Sequence, residues 1–349
     1  MSDNIIQTPE SAITVDNGRK EKLIEMKKAY SRCGIALCAV SVFLFLTSII
    51  LGIVLKTATD EFKEFYSKYL LYINEVVITI AHAIGLCTLI EAKGEAPRGE
   101  RIGKGKFLGL MCICFTIGWV GNMIGAIILL IWNMFTGSNV TNELTGVILN
   151  TEPIQMLVCT GILAPILEEF FFRKVLIDRT HKYGELTAIL ISAAFFGLFH
   201  QNFSQFFYAF GLGIIFGYVY CKTGSYLTVT LMHMVFNTVM GVIPGLLLPK
   251  VLEFVERIEG IDMSELDEII SLVTRYAVPL GLYMLYALVI LAVNIAGAII
   301  LFINFKKSSF RNEAPELTAP EKRRAAILNP GTIAAAAVLI ALTVATLFI

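Results

Sequence analysis

Long apolar runs separated by short polar segments set the plan of this chain. A helix needs about 20 apolar residues to cross the hydrocarbon core of a bilayer. Stretches of that kind run over 33–55, 69–90, 107–135, 154–177, 203–221, 225–249, 276–305 and 331–349. A further stretch, 186–201, is apolar for about 16 residues, roughly 24 Å of helix, and is marginal for a full crossing. The pattern predicts an all-α, polytopic transmembrane helical bundle of about nine spans with its N-terminus inside. Two polar segments interrupt it. Residues 251–275 hold seven acids, with Leu266, Ile269, Ile270 and Val273 at helical spacing, and predict one or two short amphipathic helices on the outer face. Residues 306–330 read as a proline-containing cytoplasmic linker with basic clusters at both ends.

Charge decides whether 186–201 is counted. With nine crossings and the N-terminus inside, 22 of the 28 Lys and Arg residues fall on inside segments, as the positive-inside rule requires. Without the fifth span every later loop reverses, and Lys306, Lys307, Arg311, Lys322, Arg323 and Arg324 move outside. Composition agrees: 56% of residues are hydrophobic and 16% charged, with a mean hydropathy of +0.73, against roughly 45–50% and about 25% in ordinary soluble domains. An integral, multi-pass membrane protein follows, in the cell membrane if the source is prokaryotic. The net charge of +0 gives no reason to expect a nucleic-acid partner. The seven cysteines lie in or beside apolar runs without a CxxC, and are expected to be buried free thiols. Residues before the first span lack an apolar core ahead of a cleavage site, so that span is expected to act as its own insertion signal. The expected organisation is a cytoplasmic N-terminal segment (1–32), N-terminal transmembrane helices (33–149), a helical core (150–249), an extracytoplasmic amphipathic segment (250–275), and C-terminal transmembrane helices with a cytoplasmic linker (276–349).

The core carries the chemistry. Three polar motifs sit inside its apolar helices: Glu168-Glu169-x-x-x-Arg173, Phe196-x-x-x-His200 and His233-x-x-x-Asn237. An ionisable residue within lipid is costly and marks a site by default. Glu169 and Arg173 stand four apart with the acid first, the favourable order for a helical ion pair, so Glu169 reads equally well as structural or catalytic. Glu168 points about 100° away and has no local cation. A buried carboxylate in that position can serve as a general base. His233 and Asn237, one turn apart, can polarise a carbonyl or hold a water. His200 alone, among phenylalanines, reads as a core histidine; only the combination makes it functional. Counted along the helices, all four polar groups reach one layer near mid-membrane. Glu75 and His82 share a face of the second span and either extend the polar cavity or pair with each other. Gly121/Gly125 and Gly213/Gly217 are small-xxx-small packing signals.

In these motifs the chain resembles the CAAX protease and bacteriocin-processing (CPBP, or Abi) family of intramembrane proteases, which includes the type II CAAX prenyl endopeptidases. The motifs EExxxR, FxxxH and HxxxN stand in order at 168–173, 196–200 and 233–237, and Thr223-Gly224-Ser225 matches the turn that often opens the third motif's helix. The resemblance covers about residues 150–245. It implies a hydrolase in which Glu168 and His200 activate a water, His233 and Asn237 stabilise the oxyanion, and Glu169, Arg173 and Phe196 support them. It implies a membrane-anchored protein or peptide as substrate, met within the lipid bilayer. Many members are named metalloproteases; Glu168, His200 and His233 are acceptable zinc ligands in kind, and the absence of HExxH leaves open whether a metal is used. A proton-coupled secondary transporter also places Glu and His in its spans, but would show inverted repeats, which this chain lacks. A non-catalytic membrane scaffold on the same fold is a third reading, though it would tolerate loss of motif residues that are all present here.

Overall fold

A computed structural model describes residues 9–89, 93–138, 140, 146, 151–262, 265–304 and 309–348. The boundary expected between 149 and 150 lies outside them. The described residues form helices and no strand: α1 (Pro9–Thr57), α2 (Asp60–Lys68), α3 (Leu70–Cys87), α4 (Lys104–Thr136), α5 (Pro153–Tyr183), α6 (Glu185–Phe199), α7 (Phe203–Thr223), α8 (Tyr226–Glu259), α9 (Leu266–Asn304), α10 (Ala319–Ile327) and α11 (Pro330–Ala345). Among them, α1, α3, α4, α5, α7, α8 and α9 are long and apolar enough to cross a membrane. The pair α10–α11, bent by 63°, makes an eighth if it counts as one broken span. The chain is an integral multi-pass membrane protein. The fifth expected span is a true helix but a short one. With 15 residues α6 is about 22 Å long, less than the roughly 30 Å hydrocarbon core. Gly184 at φ 133 starts it and Gln201 at φ 48 ends it.

Two polar segments run on from neighbouring spans. Residues 9–32 are the first half of α1, continuous with the first span. Their apolar side docks on the C-terminal region, where Met26 and Tyr30 are buried against Tyr183, Ala314, Leu317, Ala325 and Ala326, and Arg19 Nη2 lies 2.7 Å from Glu321 Oε1. Nor are 251–275 separate amphipathic helices. They are the end of α8 and the start of α9, which pack against each other.

Contacts between the ends of the helices fix their relative direction. Glu185, at the start of α6, accepts from Lys222 Nζ at the end of α7 at 2.6 Å and from the backbone N–H of Arg311 at 2.8 Å. Arg311 Nη1 donates to Arg98 O, and His181 Nε2 to Glu95 O. The segments read as inside thus meet at one end of the bundle. At the other end Gln155 Nε2 donates to Lys68 O at 2.7 Å. The turn at 223–225 is built as its sequence implies. Gly224 closes α7 in the left-handed conformation (φ 61), and the Ser225 side chain caps α8 by accepting from Thr228 N–H.

Small residues let the core helices touch. A Cβ on Gly121 would lie 2.5 Å from Tyr208 Cα, and one on Gly125 would strike the Ser204 carbonyl, so α4 and α7 cross there backbone to backbone. Gly213 faces Ala193 of α6 in the same way, and a Cβ on Gly217 would come within 3.2 Å of Ile189. The cysteines are all free, as expected, but only Cys33, Cys114, Cys159 and Cys221 are buried; Cys38 and Cys112 are half-buried and Cys87 is exposed.

Candidate active site

Helix α5 owes its shape to a change of hydrogen-bond register. Residues Met156–Leu163 and Phe170–Ile177 are π-helical, and only Ala164–Glu169 between them keeps the α register. Such widened turns leave backbone groups free and recur at functional sites. Here the N–H of Ala164 donates to Cys159 O. The next N–H, which would serve Thr160 O, is missing because residue 165 is proline. The orphaned Thr160 carbonyl accepts from Asn237 Nδ2 at 2.9 Å instead. Asn237 itself lies where α8 enters a π turn at Thr238–Val242. One amide hydrogen of Asn237 is therefore engaged in joining α8 to α5, and one is left.

The α-register turn presents the two carboxylates in different surroundings. Glu169 is fully buried. Its Oε2 lies 2.9 Å from Arg173 Nε and its Oε1 3.2 Å from Arg173 Nη2. Arg173, also fully buried, donates from Nη1 to Ser192 Oγ at 3.2 Å and lies 4.9 Å over the Phe196 ring. Arg173 therefore belongs to the bundle interior, not to the cytoplasmic loop charge with which the topology count grouped it. Glu169 Oε1 also accepts from His233 Nδ1 at 3.0 Å. That bond fixes the imidazole's orientation and aims Nε2 at Glu168, whose Oε2 is 3.7 Å away. The gap is too long for a direct hydrogen bond and suits a bridging water.

His200 closes the first coordination of the site from α6. Its Nδ1–H donates to Phe196 O at 2.9 Å, leaving Nε2 as an acceptor. It sits on a tight corner in which Gln201 is left-handed, the one non-glycine with positive φ among the described residues, and Asn202 caps α7 by accepting from Ser204 N–H and Gln205 N–H. Strain of this kind persists only where the surroundings hold it.

Glu168, His200, His233 and Asn237 line one cavity of about 340 Å³, together with Phe196 and Tyr208. Four residues from three separate stretches of sequence thus converge, as the depth count along the helices predicts. Glu168 and His200 also line a second cavity of about 510 Å³ that runs between α1 and α3 past Leu51, Leu55 and Val77. They stand on the partition between the two. Glu75 and His82 line neither cavity. His82 is buried against Phe171 and Phe199, with Nδ1 on Ile78 O, and Glu75 Oε2 is a buried oxygen without a hydrogen-bond partner. Sequence reasoning missed Ser192, Thr160 and Tyr208. Ser192 and Tyr208 carry no motif signal, and Thr160 acts through its backbone.

The zinc set implied by resemblance is tested by where its donors point. His233 gives Nδ1 to Glu169 and His200 gives Nδ1 to Phe196 O, which leaves Nε2 of each ring free, as in a metal-ligating histidine. Among the described residues no three His, Cys, Asp or Glu side chains converge closely enough to hold a metal ion. Glu168, His200 and His233 share a cavity without being gathered into such a group.

Residues 150–239 match the family described as type II CAAX prenyl endopeptidase, Rce1-like. No curated protein and no solved structure matches the chain. The match spans all three motifs, from the two carboxylates of α5 to Asn237 of α8, and ends where the π turn of α8 begins. Residues 150–239, set within a larger transmembrane bundle, are thus similar to the type II CAAX prenyl endopeptidase family.

Proposed function

We propose that this protein is an intramembrane endopeptidase of glutamate type, hydrolysing a peptide bond of a membrane-anchored protein or peptide. The observation that carries the reading is the division of labour between neighbouring carboxylates. Glu169 is committed to Arg173 and His233, whereas Glu168 faces the cavity with only His233 Nε2 near it, at 3.7 Å.

In the proposed reaction a water lies between Glu168 Oε2 and His200 Nε2. Glu168 takes one of its protons as the oxygen attacks the carbonyl carbon, and His200 orients it by accepting the other hydrogen. The carbonyl π electrons move to oxygen. The oxyanion receives hydrogen bonds from the second amide hydrogen of Asn237 and from Nε2–H of His233 in its doubly protonated form, which Glu169 opposes. When the intermediate collapses the C–N bond breaks, and Glu168 passes its proton to the departing amine. The family's prenylated substrates supply a role for the second cavity: its wall of Leu44, Phe45, Leu51 and Leu55 suits a lipid anchor, with the scissile bond reaching the partition at Glu168.

The test is cleavage of a farnesylated peptide ending in a CAAX sequence by protein reconstituted in vesicles. Glu168→Ala should abolish cleavage while the protein inserts normally, and the same variant expressed in cells should accumulate uncut membrane substrates. Full cleavage by Glu168→Ala would exclude Glu168 as the base, and absence of cleavage by the parent would bring the transporter reading forward.

A further inference from the structure

Away from these two cavities, a third concavity of about 250 Å³ opens at the end of the bundle where the basic segments gather. Lys28 and Arg32 of α1, Lys93 of the segment before α4, and Arg179 and Lys182 of α5 line it, with Glu25 the one carboxylate among the described residues of its walls. Positive residues at a membrane face are ordinary. Five of them around one hollow, drawn from three parts of the chain, are not explained by topology alone, because like charges brought together repel. The carboxylate next in sequence to Arg179 does not relieve them. Asp178 accepts from Lys174 Nζ at 2.7 Å and from Tyr220 Oη at 2.6 Å.

Arg179 is held in place at the wall of the hollow: its Nη1 donates to Val175 O at 2.8 Å. A planar guanidinium anchored through one nitrogen in a cationic hollow suits an anion with several acceptor oxygens. The level of the hollow narrows the choice. It lies where α1 passes from its charged half, ending at Arg32, to the apolar run that begins at Cys33. Cys33 is buried and the exposed positions beyond it, Ile35, Val42, Phe45 and Leu46, are apolar. That is the depth of a lipid phosphate.

We infer that this hollow binds the phosphate headgroup of an anionic membrane lipid, clamping α1 to the end of α5, the helix that carries Glu168 and Glu169. The inference does not depend on the chain being a protease. Lys28 and Lys182 are exposed, so replacing them leaves the fold intact. Each cation near the membrane surface is worth about fivefold in affinity for anionic lipid.

The experiment measures lipid retention by native mass spectrometry on full-length protein purified from vesicles of phosphatidylcholine mixed with phosphatidylglycerol. The parent should retain phosphatidylglycerol over phosphatidylcholine, and millimolar inorganic phosphate should not displace it. Lys28→Gln with Lys182→Gln should weaken retention about thirtyfold, and Arg179→Gln should lower it further. Lys63→Gln with Lys250→Gln, which removes two cations paired elsewhere with Asp60 and Glu253, should match the parent. Equal retention by the parent and the Lys28/Lys182 variant would overturn the site. Displacement by phosphate alone would overturn the lipid assignment in favour of a soluble anion.

Discussion

Replacing Arg173 with methionine is the sharpest test of how the site is held. The guanidinium is wholly buried, makes two contacts to Glu169 at 2.9 and 3.2 Å, donates to Ser192 at 3.2 Å, and covers the Phe196 ring at 4.9 Å. Methionine refills most of the volume but leaves the Glu169 carboxylate buried with His233 alone beside it. Breaking a buried pair from one side costs about 3–5 kcal/mol, and the lost cation–π contact adds about 1 kcal/mol. Ser192 loses less, since its hydroxyl still donates to Phe172 O at 2.7 Å. The His233 contact offsets part of the total, so a loss of about 3–4 kcal/mol is expected. Thermal unfolding of detergent-solubilised protein should show a clearly lowered midpoint, with reduced yield in membranes. Adding Glu169→Gln removes the orphaned charge, and replacing both partners of a buried pair is often neutral. The double variant should therefore regain most of the stability. It should not regain cleavage, because a neutral amide at 169 no longer opposes a charge on His233. A single variant as stable as the parent, or a double variant no more stable than the single one, would refute the account of Arg173 as the counter-charge of Glu169.

Asn237→Ala should lower the cleavage rate by on the order of 10²–10³, as for loss of one oxyanion donor, and should also lower the unfolding midpoint because the Thr160 carbonyl loses its only cross-helix donor; a variant with full activity would exclude Asn237 from the reaction. If Glu168 acts as the general base of a glutamate-type protease, cleavage should survive strong chelators and the purified protein should lack a stoichiometric metal; activity lost to chelation and restored by zinc would overturn the glutamate-type mechanism. Cysteines introduced at 262 and 318 flank α9, whose 39 residues extend about 58 Å, so they should label from opposite sides of the membrane, 262 from outside and 318 from inside; the same side for both would sink the topology.

What the sequence disclosed about this site follows from the price of polarity in lipid. Three motifs stood out because the apolar runs 154–177, 186–201 and 225–249 that hold them carry no other charge but Lys174, and Glu169 with Arg173 was readable because a pair four residues apart meets on one face of a helix. The 223–225 turn was readable because glycine followed by serine has few other uses at that spacing. The remainder depended on register. A helix counted at 100° per residue assumes unbroken α geometry, and α5 keeps it only over Ala164–Glu169. Glu168 and Glu169 fall inside that turn, so their separation onto two faces came through. Asn237 did not come through in full: the sequence aims it at the substrate, whereas one of its hydrogens serves Thr160 O. That requires knowing both that Pro165 withholds a donor and that the preceding turn is π, and only the proline is visible in a sequence. The same gap hid the ends of helices. Residues 9–32 are continuous with the first span, and Met26 and Tyr30 of that stretch are buried against Tyr183, α10 and the 314–317 segment. Single polar residues, such as Ser192, carry no signal until a partner from another helix arrives. Where chemistry sits in this protein could be read from which residues are expensive in lipid. How each is aimed is set by a proline and two widened turns, which leave the apolar pattern unchanged.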